Sequence, residues 1–206
     1  MHTLYYAKGT IAIAVALTLE EAGLPYTPVR VDFASAAQTK PEYLALNPKG
    51  RVPALVTEGG TVLTETGALL EYVAALAPQA DLVPLNAEAA AHMRAVMYYL
   101  ASTMHVAHAH KMRGSRWADK QESFDDMTAK VPQTVAACAR HIEDNCLQGD
   151  FVLGDSFSLA DPYLFTVGQW LEGDGVNPAD YPRIAAFLAR MEARPSVQSV
   201  RSKGLL

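Results

Sequence analysis

Cysteine is scarce in this chain, and its scarcity excludes two kinds of architecture. Only Cys138 and Cys146 occur, eight apart in one helical pattern. That places them too far apart along the axis for a disulfide and outside any zinc-ligand spacing, so they read as reduced packing residues. An excess of basic charge is missing as well. The formal net charge of -5 leaves no general field for nucleic acid or an anionic membrane, and an anionic small ligand would need a local basic patch. Long apolar runs are also lacking. The most apolar early stretch, Ile11 to Leu19, is far short of a membrane span, and "MHTLYYAKGT" carries no basic region ahead of a long apolar one, so a soluble cytoplasmic protein is expected. No internal repeat and no low-complexity tract is present.

Half of the 206 residues are apolar, enough to bury a sizeable core. Thr3 to Tyr6 is β-rich, and Gly9-Thr10 then opens "IAIAVALTLEEAG", a buried helix stopped by Gly23 and Pro25. In "YTPVRVDF", apolar Val29, Val31 and Phe33 alternate with Arg30 and Asp32, which predicts a second strand, followed by the polar stretch "ASAAQTKPEYLALN". A β-α-β order implies a parallel pair with a right-handed crossover. "RVPALVTEGGTVLT" reads as a hairpin turning at Glu58-Gly59-Gly60, and "ETGALLEYVAALA" as the helix after it. Ala77 to Pro84 reads as a linker. Beyond Asn86 strand signals nearly vanish, and helical patterns run roughly over 86–113, 119–148, 158–173 and 180–193. The fold class expected is therefore an α/β domain over 1–78 followed by an all-helical domain over 85–206.

Several motifs carry chemistry. Pro53 lies in the middle of an apolar strand pattern, where it removes a ladder donor, and a cis Val52-Pro53 bond suits such a place. A strand opened in this way offers the Val52 N–H and C=O to an extended, peptide-like ligand; the alternative is an edge strand that tolerates proline. Glu65 and Thr66 fall at the first turn of a helix, where free N–H groups favour a carboxylate and the Glu65 side chain can pair with an amine; ordinary capping is the alternative. His105 and His108 share a helix face, but His110 lies about 160° round from His108, so the three cannot converge and no metal is expected. Met97, Met104 and Met112 with Tyr98 and Tyr99 either line a pocket for an apolar molecule or simply pack. Ser158-x-x-Asp161 has the form of a capping box. Lys8, Lys40, Lys49, Arg51, Lys111 and Arg113 are the basic residues available to a local site.

In order and spacing, the β-α-β start, "RVPAL", "TETGALLEYV", the helical second half and "SFSLADPYLF" resemble the cytosolic glutathione transferases along nearly the whole chain. "LYYAKGT", "NPKGRVPALV" and "VLTETGALLEYVA" are most similar to the bacterial beta class. The resemblance implies a thioredoxin-like, glutathione-binding domain over 1–78 and an all-helical domain over 85–206. It implies an enzyme of detoxification type that activates bound glutathione as a thiolate against small, apolar electrophiles, a homodimer, and no metal. Val52 and Pro53 would bind the cysteinyl part of glutathione, Glu65 and Thr66 its γ-glutamyl end, and Arg51 or Lys40 its glycine carboxylate. Thr66 replaces the usual serine and keeps its hydroxyl. The cysteine that the beta class carries early in helix one corresponds here to Ile11, so a mixed disulfide with the protein is not implied. The Tyr6 phenol and the Thr10 hydroxyl remain as alternative donors to the thiolate. His105 matches a histidine of that class, whose neighbouring lysine and upstream asparagine are Val106 and Tyr98 here, and Tyr98, His105, His108 and Met112 would line the second-substrate pocket. The resemblance also admits ether cleavage, dehalogenation, disulfide or peroxide reduction, or a non-catalytic binding module.

Overall fold

The computed structural model describes residues 1–206, which fall into two compact units: Met1–Val83 with Glu192–Leu206, and Pro84–Met191. In the first, β1 (His2–Tyr6), β2 (Tyr26–Arg30), β3 (Ala54–Val56) and β4 (Val62–Thr64) form one sheet in the order β2-β1-β3-β4. β1 and β2 are parallel, joined through α1 (Ala12–Glu21), while β3 is antiparallel to both β1 and β4. The expected crossover and hairpin are both present. α1 is apolar nearly all round, and Ala12 to Leu19 are all buried, which is why its sequence shows no polar face. α2 (Pro41–Leu46) is short, and α3 (Thr66–Leu76) packs beside α1.

Three expectations are corrected here. β2 ends at Arg30, with the Val31 N–H still donating to the Tyr6 carbonyl at 2.7 Å, so the expected strand is shorter and Phe33 lies beyond it. Pro53 precedes β3 instead of interrupting it; its bond to Val52 is cis. The final segment also differs, because α9 (Pro195–Ser202) packs on α1 within the first unit instead of extending the helical one.

The second unit is helical: α4 (Ala87–Tyr99), α5 (His105–Ala109), α6 (Gln121–His141), α7 (Ala160–Gly168) and α8 (Pro182–Glu192). The two long patterns do not run unbroken, since π turns at Leu100–Met104 and Ile142–Cys146 interrupt them. Ser158 and Asp161 are fully buried, and the Asp161 carboxylate accepts from the Ser158 N–H (2.7 Å), the Ser158 hydroxyl (3.0 Å) and the Val152 N–H (2.9 Å). The reach of Asp161 back to Ser158 is as the capping box predicts, but the hydroxyl serves the carboxylate and not a helix N–H. No helix in the structure is long and apolar enough to cross a membrane.

α9 is fastened to the end of α1 by two adjacent carboxylates. Glu21 accepts a bidentate pair from Arg194 at 2.7 and 2.8 Å and a bond from the Ser196 hydroxyl. Glu20 accepts from the Tyr26 phenol and the Ser199 hydroxyl, each at 2.9 Å, and meets the Lys203 ammonium. Burial pushes the Glu20 carboxyl up, but the Lys203, Ser199 and Tyr26 donors outweigh it and hold the group below its ordinary value of 4.5. A carboxyl lowered on folding contributes stability that is present above its unfolded value and lost as pH falls through its folded one. Acid unfolding monitored between pH 6 and 3 is expected to show that loss beginning near pH 4.5, and Glu20→Gln is expected to flatten it; an unchanged acid slope in the variant would contradict the assignment.

Candidate active site

The strand register gathers the predicted residues of the first unit at one end of the sheet. Tyr5 pairs with Ala54, and Ala54 with Thr64, so these three form a row. Just beyond that row β1 runs on to Tyr6 and Thr10, the chain enters β3 through Val52 and Pro53, and β4 leads into Glu65 and Thr66. α1 and α3 both begin at this end, and neither start is capped by a side chain. The Ile11 and Ala12 N–H groups take no backbone acceptor, and neither do those of Thr66, Gly67 and Ala68. Unclaimed amides at two helix starts make this end of the sheet attractive to anionic groups.

The candidates for the thiolate donor differ in orientation. Thr10 donates its hydroxyl to the Ala7 carbonyl at 2.7 Å, and its N–H reaches the same oxygen at 3.3 Å. Tyr6 alternates with His2 and Leu4 on the buried face of β1 and is 8% exposed. Its phenol lies near enough to Tyr26 to add to that group's raised pKa, although burial and Glu20 contribute more. Ile11 is buried in the apolar core and brings no reactive group.

The approach to Val52 is held by a buried frame. Asn47, 1% exposed, accepts from the Lys49 N–H at 3.2 Å and donates to the Arg51 carbonyl at 2.7 Å. The Tyr43 phenol donates to that same carbonyl at 2.7 Å, and burial pushes its pKa up to about 12, so it stays a donor at neutral pH. Gly50 has φ +60° and an added Cβ would lie 3.1 Å from the Gln38 carbonyl, so this turn needs glycine. With Arg51 anchored through its carbonyl, the Val52 N–H and C=O stand outside every ladder, without a backbone partner. Glu65 is held at φ +72° and ψ 116°, a strained conformation for a residue other than glycine. Its carboxylate lies 2.5 Å from the Lys49 ammonium, which also donates to the Thr64 hydroxyl at 2.7 Å. Thr66 behind it is buried.

The basic residues separate in an unforeseen way. Arg51 is exposed. Lys40 lines an open cavity of about 450 Å³ together with Tyr5, Arg30 and Tyr43. Lys49, one of the basic residues available to the site but not among those preferred for the glycine carboxylate, is the cation that meets Glu65. The turn signal Asn47-Pro48-Lys49-Gly50 marked its loop, but nothing local indicated its partner sixteen residues on.

In the helical unit, His105 and His108 both lie against Trp170, at ring separations of 5.0 and 4.3 Å, while His110 turns away to Trp117. The His108 Nδ1 lies 2.7 Å from the carboxylate of Asp174, itself 2% exposed. Tyr98 and Met112 are exposed. Trp170 and Asp174 were not anticipated, because they lie more than sixty residues away along the chain. No group of three or more His, Cys, Asp or Glu is arranged to hold a metal ion.

The model of the glutathione S-transferase N-terminal domain matches residues 1–75, and that of the glutathione S-transferase C-terminal domain matches residues 121–190. A crystal structure of a glutathione transferase homolog from Sulfitobacter, with bound glutathione, is 66% identical, covers 100% of this chain and 99% of its own, and has a TM-score of 0.99. BphK, a bacterial GST solved as a ternary complex, is 31% identical over 98% of this chain and 100% of its own, with a TM-score of 0.85. Glutathione S-transferase GstA of Escherichia coli O157:H7 is 30% identical over 97% of this chain and 96% of its own length.

Cys138 and Cys146 are free and buried in the helical unit, and burial pushes the Cys146 thiol up to about 11. A thiol reagent at pH 8 is therefore expected to label the native protein at least about a hundredfold more slowly than the unfolded chain. Rapid labelling of the native protein would show a cysteine accessible to chemistry.

Proposed function

Because the chain belongs to the glutathione S-transferase family, we propose that it holds the glutathione thiol as a thiolate at the start of α1, with the Ile11 and Ala12 N–H groups and the Thr10 hydroxyl as donors. The protein is a glutathione transferase. The observation that carries the assignment is the pair of uncapped helix starts at the end of the sheet where Val52 is left open.

In this reading the Val52 N–H and C=O take the cysteinyl residue as an added strand. The Thr66 hydroxyl and the start of α3 receive the γ-glutamyl carboxylate, and Glu65 its ammonium. Arg51 is the cation for the glycine carboxylate. A free thiol has a pKa near ~8.5, and hydrogen bonds from amides at a helix start favour its ionised form. Thr10 can join them, because when its hydroxyl turns from Ala7 to the sulfur the Ala7 carbonyl keeps the Thr10 N–H. Tyr6 is the buried wall beneath the site. With Ile11 where the beta class has cysteine, the sulfur that attacks is glutathione's own. Catalysis then consists of holding the thiolate beside its electrophile. Tyr98, His105, His108 and Met112 are the side chains assigned to the electrophile, an apolar one, and a cytoplasmic homodimer completes the proposal.

Turnover of a chloronitroaromatic electrophile separates the two donors. Losing one hydrogen bond to a charged group costs about 2 kcal/mol, so Thr10→Ala is expected to lower kcat/KM about thirtyfold, with Thr10→Ser restoring most of it. Tyr6→Phe is expected to stay within about twofold of wild type, since the phenol is assigned no hydrogen bond to sulfur. A severe loss in Tyr6→Phe with Thr10→Ala unaffected would transfer the role to the phenol.

A further inference from the structure

We infer that Lys49 is a specificity-determining residue that exchanges partners on binding: it occupies Glu65 in the free protein and passes to a ligand carboxylate when the ligand's ammonium takes Glu65. The inference rests on the reading of Glu65 as partner of the γ-glutamyl ammonium.

Three observations lead to it. The Lys49 ammonium lies 2.5 Å from Glu65 Oε1 and 2.7 Å from the Thr64 hydroxyl, so a primary ammonium already sits in the place a ligand ammonium would need. The backbone that presents Lys49 is fixed from behind, because buried Asn47 binds the Lys49 N–H and the Arg51 carbonyl together. The Glu65 backbone is likewise fixed, in the strained conformation at the start of α3, so two exposed side chains that are free to exchange partners are presented from set positions.

A γ-glutamyl head group is a zwitterion, and its entry converts one internal ion pair into two intermolecular ones. The ammonium replaces Lys49 on Glu65, and the released Lys49 meets the adjacent carboxylate. No charge is left unpaired before or after. A ligand with the carboxylate but no ammonium draws Lys49 away and leaves Glu65 alone, whereas one with an ammonium but no carboxylate must compete with Lys49 and gains nothing in return. The exchange therefore selects for both charges on one carbon, more narrowly than an isolated carboxylate would.

The test compares binding of glutathione, of its desamino analogue glutaryl-cysteinyl-glycine and of its decarboxy analogue 4-aminobutyryl-cysteinyl-glycine to wild type, Lys49→Met, Lys49→Arg and Glu65→Gln. In Lys49→Met the ammonium of the decarboxy analogue meets no competitor, so that analogue is expected to bind about threefold more tightly than to wild type, the scale of one exposed ion pair. Glutathione, which loses the competitor and the cation for its carboxylate together, is expected to stay within about twofold of wild type, and Lys49→Arg is expected to restore the wild-type values. A decarboxy analogue that binds Lys49→Met no more tightly than wild type, with the preference for glutathione over the desamino analogue abolished in Glu65→Gln, overturns the exchange and leaves the role of Glu65 intact. A preference that survives in Glu65→Gln overturns the reading of Glu65 and the exchange with it.

Discussion

Backbone amides left without acceptors at one end of a four-stranded sheet are the constraint on which the rest of this structure depends. A helix start has N–H groups that no residue of the helix can satisfy, and most chains meet them with a Ser, Thr, Asp or Asn cap. Here α1 and α3 both start uncapped, and the register of β1, β3 and β4 brings the two starts to the same end. Val52 adds an unpaired N–H and C=O there. These groups have no backbone partner within the chain, and the proposal for this member of the glutathione S-transferase family assigns them to an anionic, peptide-like molecule.

Holding such a site open requires its surroundings to be closed. The frame behind Val52 consists of buried polar groups with partners: Asn47 and Tyr43 converge on the Arg51 carbonyl, and Gly50 permits the close approach to Gln38. A buried amide of this kind is costly if unpaired and rigid if paired, so it specifies one loop conformation. α9 has a similar part at the other end of α1, where two carboxylates receive five residues from other parts of the first unit, four of them contributed by the C-terminal segment. In the helical unit, Asp161 ties Ser158 and Val152 to the start of α7.

Much of this was legible in the sequence because it depends on local rules. The β-rich run Thr3 to Tyr6, the turn at Glu58-Gly59-Gly60 and the apolar run of α1 each report a backbone state within a few residues, and "RVPAL" with "TETGALLEYV" carried the resemblance to the family. What was not legible depends on distance along the chain. The Lys49–Glu65 pair, the stacking of His108 on Trp170 beside Asp174, and the return of α9 to α1 join residues whose own neighbourhoods look like ordinary surface or ordinary helix. Local patterning is also silent on where a helix is interrupted, and the π turns at Leu100–Met104 and Ile142–Cys146 lie inside sequences that read as continuous. The thiolate donor stood open between Tyr6 and Thr10 because alternation shows that Tyr5 and Tyr6 face opposite ways without showing which face is buried.

The central claim, that unclaimed amides at the start of α1 hold a thiolate, concerns a proton equilibrium and is tested most directly there. Thiolate absorbance near 240 nm of wild-type protein saturated with glutathione, followed against pH, is expected to titrate at least about one unit below the ~8.5 of a free thiol. A midpoint at or above the free value, or no thiolate band at all, would contradict the account.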